Sequence, residues 1–174
     1  MNHVLFISYD GLTDPLGQSQ IIPYLCGLTK YNFRFSIISC EKPDRFQKLG
    51  KHIHSLLSDY PITWIPLRYH KKPPIISTVY DLQKIKNTAK RIHLRDRIDL
   101  VHTRSGTPAL AGLWLKKKFG IKFLNDIRDF YAQSRVDSGQ WPQDKFLYRQ
   151  IFKYFSGKEK LEMAAADGIV CLTH

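Results

Sequence analysis

The 174-residue sequence lacks the features of several classes of protein. It has three cysteines, Cys26, Cys40 and Cys171, which are widely spaced and lie in apolar runs. That pattern favours buried free thiols in a reducing compartment over disulfide bridges or a zinc site. No apolar run approaches the roughly 18 residues of a membrane span, and nothing marks the chain for secretion. We therefore expect a cytoplasmic protein.

Acidic residues are also scarce, because 15 Asp and Glu face 27 Lys and Arg, a net charge of +12. The excess is concentrated between Arg68 and Arg97, where nine basic residues accompany two acidic ones. Such a segment attracts nucleic acid, anionic lipid or phosphorylated small molecules. A solvated basic helix face explains any single one of these residues equally well.

Short apolar runs alternate with helical patterns along the chain. Strands are predicted at 3–8, 34–39, 62–67, 99–103, 122–126 and 168–172, and helices at 19–30, 44–58, after Pro73-Pro74, at 107–118 and at 148–166, with an irregular stretch at 127–142. The third helix carries a predicted buried stripe of Val79, Leu82, Ile85, Ala89 and Ile92. Pro66 is expected to end the hydrogen bonding of the third strand, and Thr107 to cap the fourth helix. This order predicts an α/β, doubly wound parallel sheet with helices on both faces.

The loop after the first strand, YDGLTDPLGQSQ, contains neither G-x-G-x-x-G nor a P-loop motif. A simple dehydrogenase or a P-loop nucleotidase is therefore disfavoured. Gly17, directly before the predicted helix, would let a ligand approach the backbone and the free N–H groups of the helix start. A glycine-bearing turn, with Ser19 or Asp14 capping the helix, is the structural alternative.

The loops after the fourth and fifth strands hold the other candidate residues. His102 and Arg104 come where the fourth strand ends, although a histidine at such a position is often simply packed. The fifth loop combines charged and aromatic side chains: Asp126, Arg128, Asp129, Phe130, Tyr131, Arg135 and Trp141. Arginines with planar aromatics fit phosphate and sugar ligands, and an internal Asp–Arg network is the alternative. No Cys/His cluster has metal-ligand spacing, and no nucleophile elbow or DxD pair occurs.

Three segments resemble one family, the family 4 glycosyltransferases of GT-B fold. The opening HVLFISYDGLTDPLGQSQIIPYLCGL is similar to the start of a subgroup with a D-x-L-x-D-P-L-G-Q-S-Q-like segment. VHTRSGTPALAGLWLKKKFGIKFLNDIRDFYAQSRVDSGQW resembles that subgroup's middle. KEKLEMAAADGIVCLTH resembles the helix and strand near the end of the family's N-terminal domain. Together the resemblance covers essentially the whole chain.

The resemblance implies that residues 1–174 are the N-terminal, acceptor-side Rossmann-like domain of an enzyme whose second domain binds most of a nucleotide-sugar donor. It implies transfer of the sugar to a glycan, lipid-linked or small-molecule acceptor, with retention of configuration and without a metal or cofactor. Gly17 and Gln18 would line the cleft, and His102 would face the transferring sugar. Arg104, Asp126 and Arg128 would lie around the acceptor. Asp14 and Arg135 complete the predicted substrate-binding residues.

Two other hypotheses about the function stay open at this point: a basic nucleic-acid-binding module and a noncatalytic sugar-binding α/β protein. The first is motivated by the charge, yet the sequence shows no RRM, KH or helix-turn-helix signature, so no nucleic-acid partner is expected. The basic segment from Arg68 to Arg97 is instead expected to dock on an anionic membrane, where lipid-linked acceptors reside. That docking would place the protein on the inner face of the membrane.

Overall fold

A computed structural model describes residues 1–73, 75–104 and 106–171. Pro74, Ser105 and residues 172–174 lie outside the described residues. They belong to the predicted loop before the third helix, the fourth predicted loop and the end of the sixth predicted strand.

Six parallel strands form one sheet in the order β3-β2-β1-β4-β5-β6. They are β1 (Asn2–Ser8), β2 (Phe33–Glu41), β3 (Ile62–Arg68), β4 (Leu100–Arg104), β5 (Lys122–Ile127) and β6 (Gly168–Cys171). After β1 the chain adds β2 and β3 on one side of β1, and it then adds β4, β5 and β6 on the other side. The sheet therefore has its topological switch point between β1 and β4, where ligands of such sheets bind.

Helices cover both faces of the sheet. They are α1 (Ile22–Leu28), which follows a π-helical turn (Gly17–Ile21), α2 (Pro43–Leu57), α3 (Ile76–Arg95), α4 (Thr107–Phe119), α5 (Tyr131–Asp137) and α6 (Phe146–Ala165). On one face, Phe6 and Ile37 pack with residues of α1 and α2, such as Leu25. On the other face, Ile7 packs with residues of α3 and α4, such as Ile85. The predicted doubly wound α/β class is confirmed.

Pro66 does not end β3, which continues to Arg68. The prediction was wrong because β3 is the edge strand, and an edge strand has one side on which a missing N–H is tolerated. The pairing with β2 runs through Pro66, opposite Ser39, and on to Arg68, opposite Glu41.

Two local predictions around the later loops were also wrong. The stretch predicted to be irregular contains α5, a helix of two turns between Tyr131 and Asp137. Thr107 is the first residue of α4 rather than its cap, and Gly106 precedes it with a φ of +64°. That backbone conformation favours glycine, because a Cβ there would be strained and would lie 2.8 Å from the Tyr131 ring.

Exposure differs from prediction at two apolar positions. Val79 was placed on the buried stripe of α3 but is 62% exposed, because the buried side of the helix uses Ser77 and Asp81 instead. Cys26 and Cys40 are buried as expected, whereas Cys171 is exposed on the edge strand β6. Across the described part of the chain, no helix is long and apolar enough to cross a membrane.

Candidate functional site

The candidate site lies where β1, β4 and β5 end. Ser8 pairs with Arg104, and Arg104 pairs with Asp126, so the last residues of three neighbouring strands lie side by side. Side chains paired across parallel strands point to the same face, and those two positions apart in a strand share it. His102 therefore shares the face of Arg104 and Asp126, which is the face covered by α1.

His102 is a buried histidine, with only 2% of the residue exposed. Its ring packs edge-on against Phe6 at 4.8 Å and against Tyr24 of α1 at 5.9 Å between centroids. Its Nε2 has no hydrogen-bond partner among the described residues. Burial lowers the pKa of His102 to about 4, against the raising effect of Asp126. The imidazole is therefore neutral at physiological pH and keeps one free ring nitrogen.

Asp126 stands beside this histidine. Its Oδ2 lies 3.9 Å from Nε2 of His102, beyond hydrogen-bond distance, and accepts a 2.7 Å hydrogen bond from Nη2 of Arg128. The other oxygen, Oδ1, and Nε of Arg128 are buried without a partner in the described part of the chain. The three side chains thus form one group with unused hydrogen-bonding capacity.

Arg104 closes the group on the side of β1. Its Nη2 donates a 2.6 Å hydrogen bond to Oε1 of Gln20, and its Nε lies 3.9 Å from Oδ2 of Asp10. Burial, together with the charge of Arg128, lowers the pKa of Arg104 from its ordinary value. Gln20 lies in the π-helical turn, a distortion that is frequent at functional sites.

Glu41, at the end of β2, anchors the loop after β1. Its carboxylate accepts hydrogen bonds from the backbone of Leu12 at 2.7 Å, from the backbone and hydroxyl of Thr13, and from Ser39. Asp14 holds the same loop from the other side. It accepts hydrogen bonds from the Gly11 backbone, from Lys42 and from Arg45 at 2.7 Å. These bonds fix the loop that carries Asp10 to Gln20.

Gly17 lies within helical backbone, as the first residue of the π-helical turn, rather than directly before a helix. Residues 15 and 16 are already helical, and Gln18 donates its backbone N–H to the carbonyl of Asp14 at 3.1 Å. A Cβ on Gly17 would lie 2.2 Å from the carbonyl oxygen of Gly11. The glycine is therefore needed for close packing of the loop on itself. The Gln18 side chain is exposed and donates to the carbonyl of Thr13.

Arg135 belongs to a different group, on α5. It is hydrogen-bonded to Gln140 and stacks over the Tyr131 ring, 4.9 Å from the centroid. Tyr131 in turn packs against Trp141 and Phe155, which also contact each other. Among the described residues, Arg135 makes its contacts with Gln140 and Tyr131 and not with His102.

Of the predicted site residues, the structure brings together His102, Arg104, Asp126 and Arg128. Asp14, Gly17 and Gln18 shape the neighbouring loop, and Arg135 lies apart from both groups. Sequence reasoning missed four residues that contact the group or its loop: Asp10, Gln20, Tyr24 and Glu41. Asp10 and Glu41 were detectable as acidic residues at or just after strand ends. Gln20 and Tyr24 had no such signal, because a helix position alone does not tell which side chain faces the sheet.

In this group the neutral His102 can exchange hydrogen bonds with a ligand, and Arg104 and Arg128 supply positive charge. A buried polar atom without a partner loses its hydration at a cost of about 1–3 kcal/mol, so folded proteins retain few such atoms. Ser8 adds another unpartnered buried oxygen at the end of β1. Within residues 1–73, 75–104 and 106–171, no His, Cys, Asp and Glu side chains converge in a group of three that could hold a metal ion.

A cavity of about 620 Å³ lies elsewhere, at the amino ends of the strands beside Asn2, Leu100 and Lys122. In open parallel sheets ligands bind beyond the carboxyl ends of the strands. We therefore place the candidate site at the carboxyl ends, where the unpartnered polar atoms also lie.

No protein-family model matches the sequence, and no curated protein matches it. Solved structures match the fold. MurG from Acinetobacter baumannii is 14% identical over 98% of this chain and 41% of its own, with a TM-score of 0.53. A UGT transferase from Siraitia grosvenorii, in complex with UDP, is 10% identical over 99% of this chain and 45% of its own, with a TM-score of 0.65. Sucrose-phosphate synthase from Thermosynechococcus elongatus is 13% identical over 98% and 47%, with a TM-score of 0.61.

The chain spans less than half the length of each of these three structures. At such low identities the likeness concerns the fold. It confirms the predicted Rossmann-like α/β domain, of the kind found in GT-B glycosyltransferases.

Proposed function

We propose that this chain is the acceptor-side, N-terminal domain of a GT-B glycosyltransferase of the family 4 type. The observation that carries the proposal is the group of buried, unpartnered polar atoms on His102, Asp126 and Arg128 at the end of the sheet. A sugar is rich in hydroxyl groups that both donate and accept hydrogen bonds, so it can complete the bonding of all three side chains. The three side chains lie next to the switch point of the sheet, where a ligand is expected.

The donor in this proposal is a nucleotide-sugar, held mainly by a second domain. One matching structure, the transferase from Siraitia grosvenorii, is a complex with UDP, which supports a donor of that kind. The acceptor is a glycan, a lipid-linked glycan or a small molecule, as in polysaccharide biosynthesis. Transfer proceeds with retention and without a metal, and these finer features rest on the family resemblance alone.

The proposed roles follow from charge and burial. His102, neutral because of its low pKa, faces the transferring sugar and exchanges a hydrogen bond with a hydroxyl through Nε2. Breaking a sugar–phosphate bond leaves negative charge on the diphosphate, which positioned cations stabilise. Arg104 and Arg128 supply that positive charge, and Asp126 orients Arg128 through their 2.7 Å hydrogen bond.

The remaining predicted residues act around this centre. Gly17 and Gln18 line the cleft as part of the loop after β1, which Asp14 holds in place through Lys42 and Arg45. Arg135, stacked on Tyr131, presents a cation with an aromatic ring to a more distant part of the acceptor. Asp14 is thus proposed as a positioning residue, because its oxygens already accept hydrogen bonds within the protein.

Membrane docking is a second part of the proposal. The nine basic residues between Arg68 and Arg97 are all exposed or partly exposed. Five of them lie on α3, which also exposes Ile76, Val79 and Tyr80, at 67, 62 and 49%. Apolar side chains flanked by lysines are typical of helices that lie at a membrane interface. This docking would bring the domain to a lipid-linked acceptor.

A transfer assay tests the proposed activity. Residues 1–174 alone should fold but transfer no sugar, because reaction requires donor and acceptor to be held together. The same domain joined to a donor-binding domain should transfer sugar, and His102→Asn should lower turnover at least about 100-fold, the range seen for groups that act in the transition state. Calorimetry with a panel of nucleotide-sugars accompanies the assay. Robust transfer by residues 1–174 alone would refute both the proposed need for a second, donor-binding domain and the family assignment.

A further inference from the structure

Three helices on one face of the sheet present positive charge to the outside. Together α3, α4 and α6 carry twelve Lys and Arg and only three acidic residues. Asp81 and Glu162 are buried, and Glu159 is half-buried and accepts a hydrogen bond from the backbone of Ala132. The outer surface of these helices therefore carries far more positive than negative charge, although Lys116 is paired with Asp167, and it attracts anions.

A groove of about 370 Å³ runs between these helices. Four lysines line it: Lys86 from α3, Lys117 and Lys118 from α4, and Lys158 from α6. Between the lysines the walls are apolar, with Leu113 and the Trp114 ring. The groove thus combines a cationic rim with an apolar interior and includes no acidic side chain among its lining residues.

Two lysines of the groove, Lys86 and Lys158, repel one another, and Lys158 also interacts with the buried Glu162. Among the described residues, none of the four lies within ion-pair distance of a carboxylate. Nζ of Lys118 and Nζ of Lys86 lie 5.3 and 5.9 Å from the centroid of the Trp114 ring. Burial and the charge of Lys158 both lower the pKa of Lys86. An anion bound here would relieve this repulsion.

We infer that the groove between α3, α4 and α6 binds the phosphate head group of an anionic membrane lipid. The inference rests on the membrane docking proposed above and assigns that docking a specific site. In such a lipid the phosphate lies next to hydrocarbon, which matches lysines placed around Trp114 and Leu113. A nucleic acid also carries phosphates, but its backbone has no counterpart for the exposed Ile76 and Val79 on the same helix layer.

The test measures binding of a monomeric lipid in solution, so that it does not depend on docking to a bilayer. Tryptophan fluorescence of the chain is followed while dihexanoyl-phosphatidylglycerol is added below its micelle concentration. Dihexanoyl-phosphatidylcholine is the zwitterionic control, glycerol 3-phosphate is the head group alone, and a short single-stranded DNA is the nucleic-acid competitor. Trp114→Phe identifies the reporter, since Trp64 and Trp141 are buried.

We expect saturable binding of the phosphatidylglycerol that weakens about tenfold or more in Lys86→Ala/Lys158→Ala, because each lysine near an anionic head group contributes about 1 kcal/mol. Lys48→Ala/Lys51→Ala on α2 removes the same charge from exposed positions and should change the affinity less than about threefold. The fluorescence change should disappear in Trp114→Phe.

Three results would overturn the inference: equal binding of the phosphatidylcholine, equally tight binding of glycerol 3-phosphate, or loss of lipid binding to the competing DNA at lower concentration. The first excludes an anion site, the second assigns the groove to a soluble phosphate and the third to nucleic acid. Wild-type docking to vesicles is measured separately. Vesicle docking that survives in Lys86→Ala/Lys158→Ala, without monomer binding, would reject this site while leaving the membrane proposal standing.

Discussion

Nε2 of His102 and Oδ2 of Asp126 lie 3.9 Å apart, farther than a hydrogen bond reaches, although both residues are only 2% exposed. Nε2 of His102 has no hydrogen-bond partner among the described residues. Asp126, whose Oδ2 accepts a hydrogen bond from Arg128, keeps its other oxygen, Oδ1, buried without one. Packing alone does not favour this arrangement, because an unpartnered buried polar atom destabilises the fold. In the proposed function, a sugar hydroxyl completes these bonds.

The buried histidines allow a matched test of this interpretation. His3 is as buried as His102, but its ring nitrogens contact the carbonyl of Arg97 at 3.1 Å and the hydroxyl of Ser36 at 2.9 Å. His102→Leu should leave the free energy of unfolding unchanged or raise it by about 1 kcal/mol, whereas His3→Leu should lower it by about 1–3 kcal/mol. Urea unfolding of both variants measures the difference. Equal losses would support a merely structural His102.

Glu162 predicts a pH dependence of stability. It is 3% exposed, and burial followed by repulsion from Glu159 raises its pKa from 4.5 to about 8. Because the folded state holds this proton more tightly than the unfolded chain, the stabilisation is complete below about pH 4.5 and is lost as the pH rises to about 8. The loss amounts to at most about 5 kcal/mol, at 1.36 kcal/mol per pKa unit.

The variant Glu162→Gln should remove most of this slope, since an amide does not titrate. Thermal unfolding between pH 5 and pH 8 compares it with the wild type. The exposed residue Asp59 offers the control, and Asp59→Asn should keep the wild-type slope. A Glu162→Gln variant that loses stability with pH as steeply as the wild type would contradict the prediction.

Two glycines near α1 should respond oppositely to a methyl group. Gly17→Ala should destabilise the chain by about 2 kcal/mol or more, because the new Cβ would meet the Gly11 carbonyl oxygen at 2.2 Å. Gly27, in α1, has no atom within 4 Å of an added Cβ, and Gly27→Ala should stabilise by about 0.5–1 kcal/mol. Chemical denaturation measures both values, and a harmless Gly17→Ala would show that the loop relaxes easily.

Membrane docking predicts salt-sensitive binding to anionic vesicles. At low salt the chain should co-sediment with vesicles containing phosphatidylglycerol and stay in solution with phosphatidylcholine vesicles, since lysines attract anionic surfaces. Ile76→Ser should weaken the binding more than Tyr31→Ser, which lies outside residues 68–97, although the two residues are similarly exposed at 67 and 72%. Equal sedimentation with both vesicles, or with neither, would refute docking through residues 68–97.

The sequence by itself determined the elements and the fold class. Apolar runs such as residues 3–8 and the helical spacing of Ile85, Ala89 and Ile92 are local signals, and local signals fix strands, helices and their alternation. Because parallel strands end at one edge, the sequence also predicted that Gly17, His102 and Arg128 would line one cleft. The local prediction failed at Pro66, where only the place of β3 at the edge of the sheet decides what is tolerated.

Tertiary structure alone decided which of these polar residues remain available to a ligand. The hydrogen bond between Arg104 and Gln20 joins residues 84 positions apart, and the bonds between Asp14 and Lys42 or Arg45 join separate elements. No periodicity along the chain encodes such pairs, because they arise from strand register and from the packing of helices on the sheet. For that reason the sequence marked both Asp14 and His102 as candidate site residues and did not distinguish them. In the fold, both oxygens of the Asp14 carboxylate accept hydrogen bonds within the protein, whereas Nε2 of His102 has no partner among the described residues.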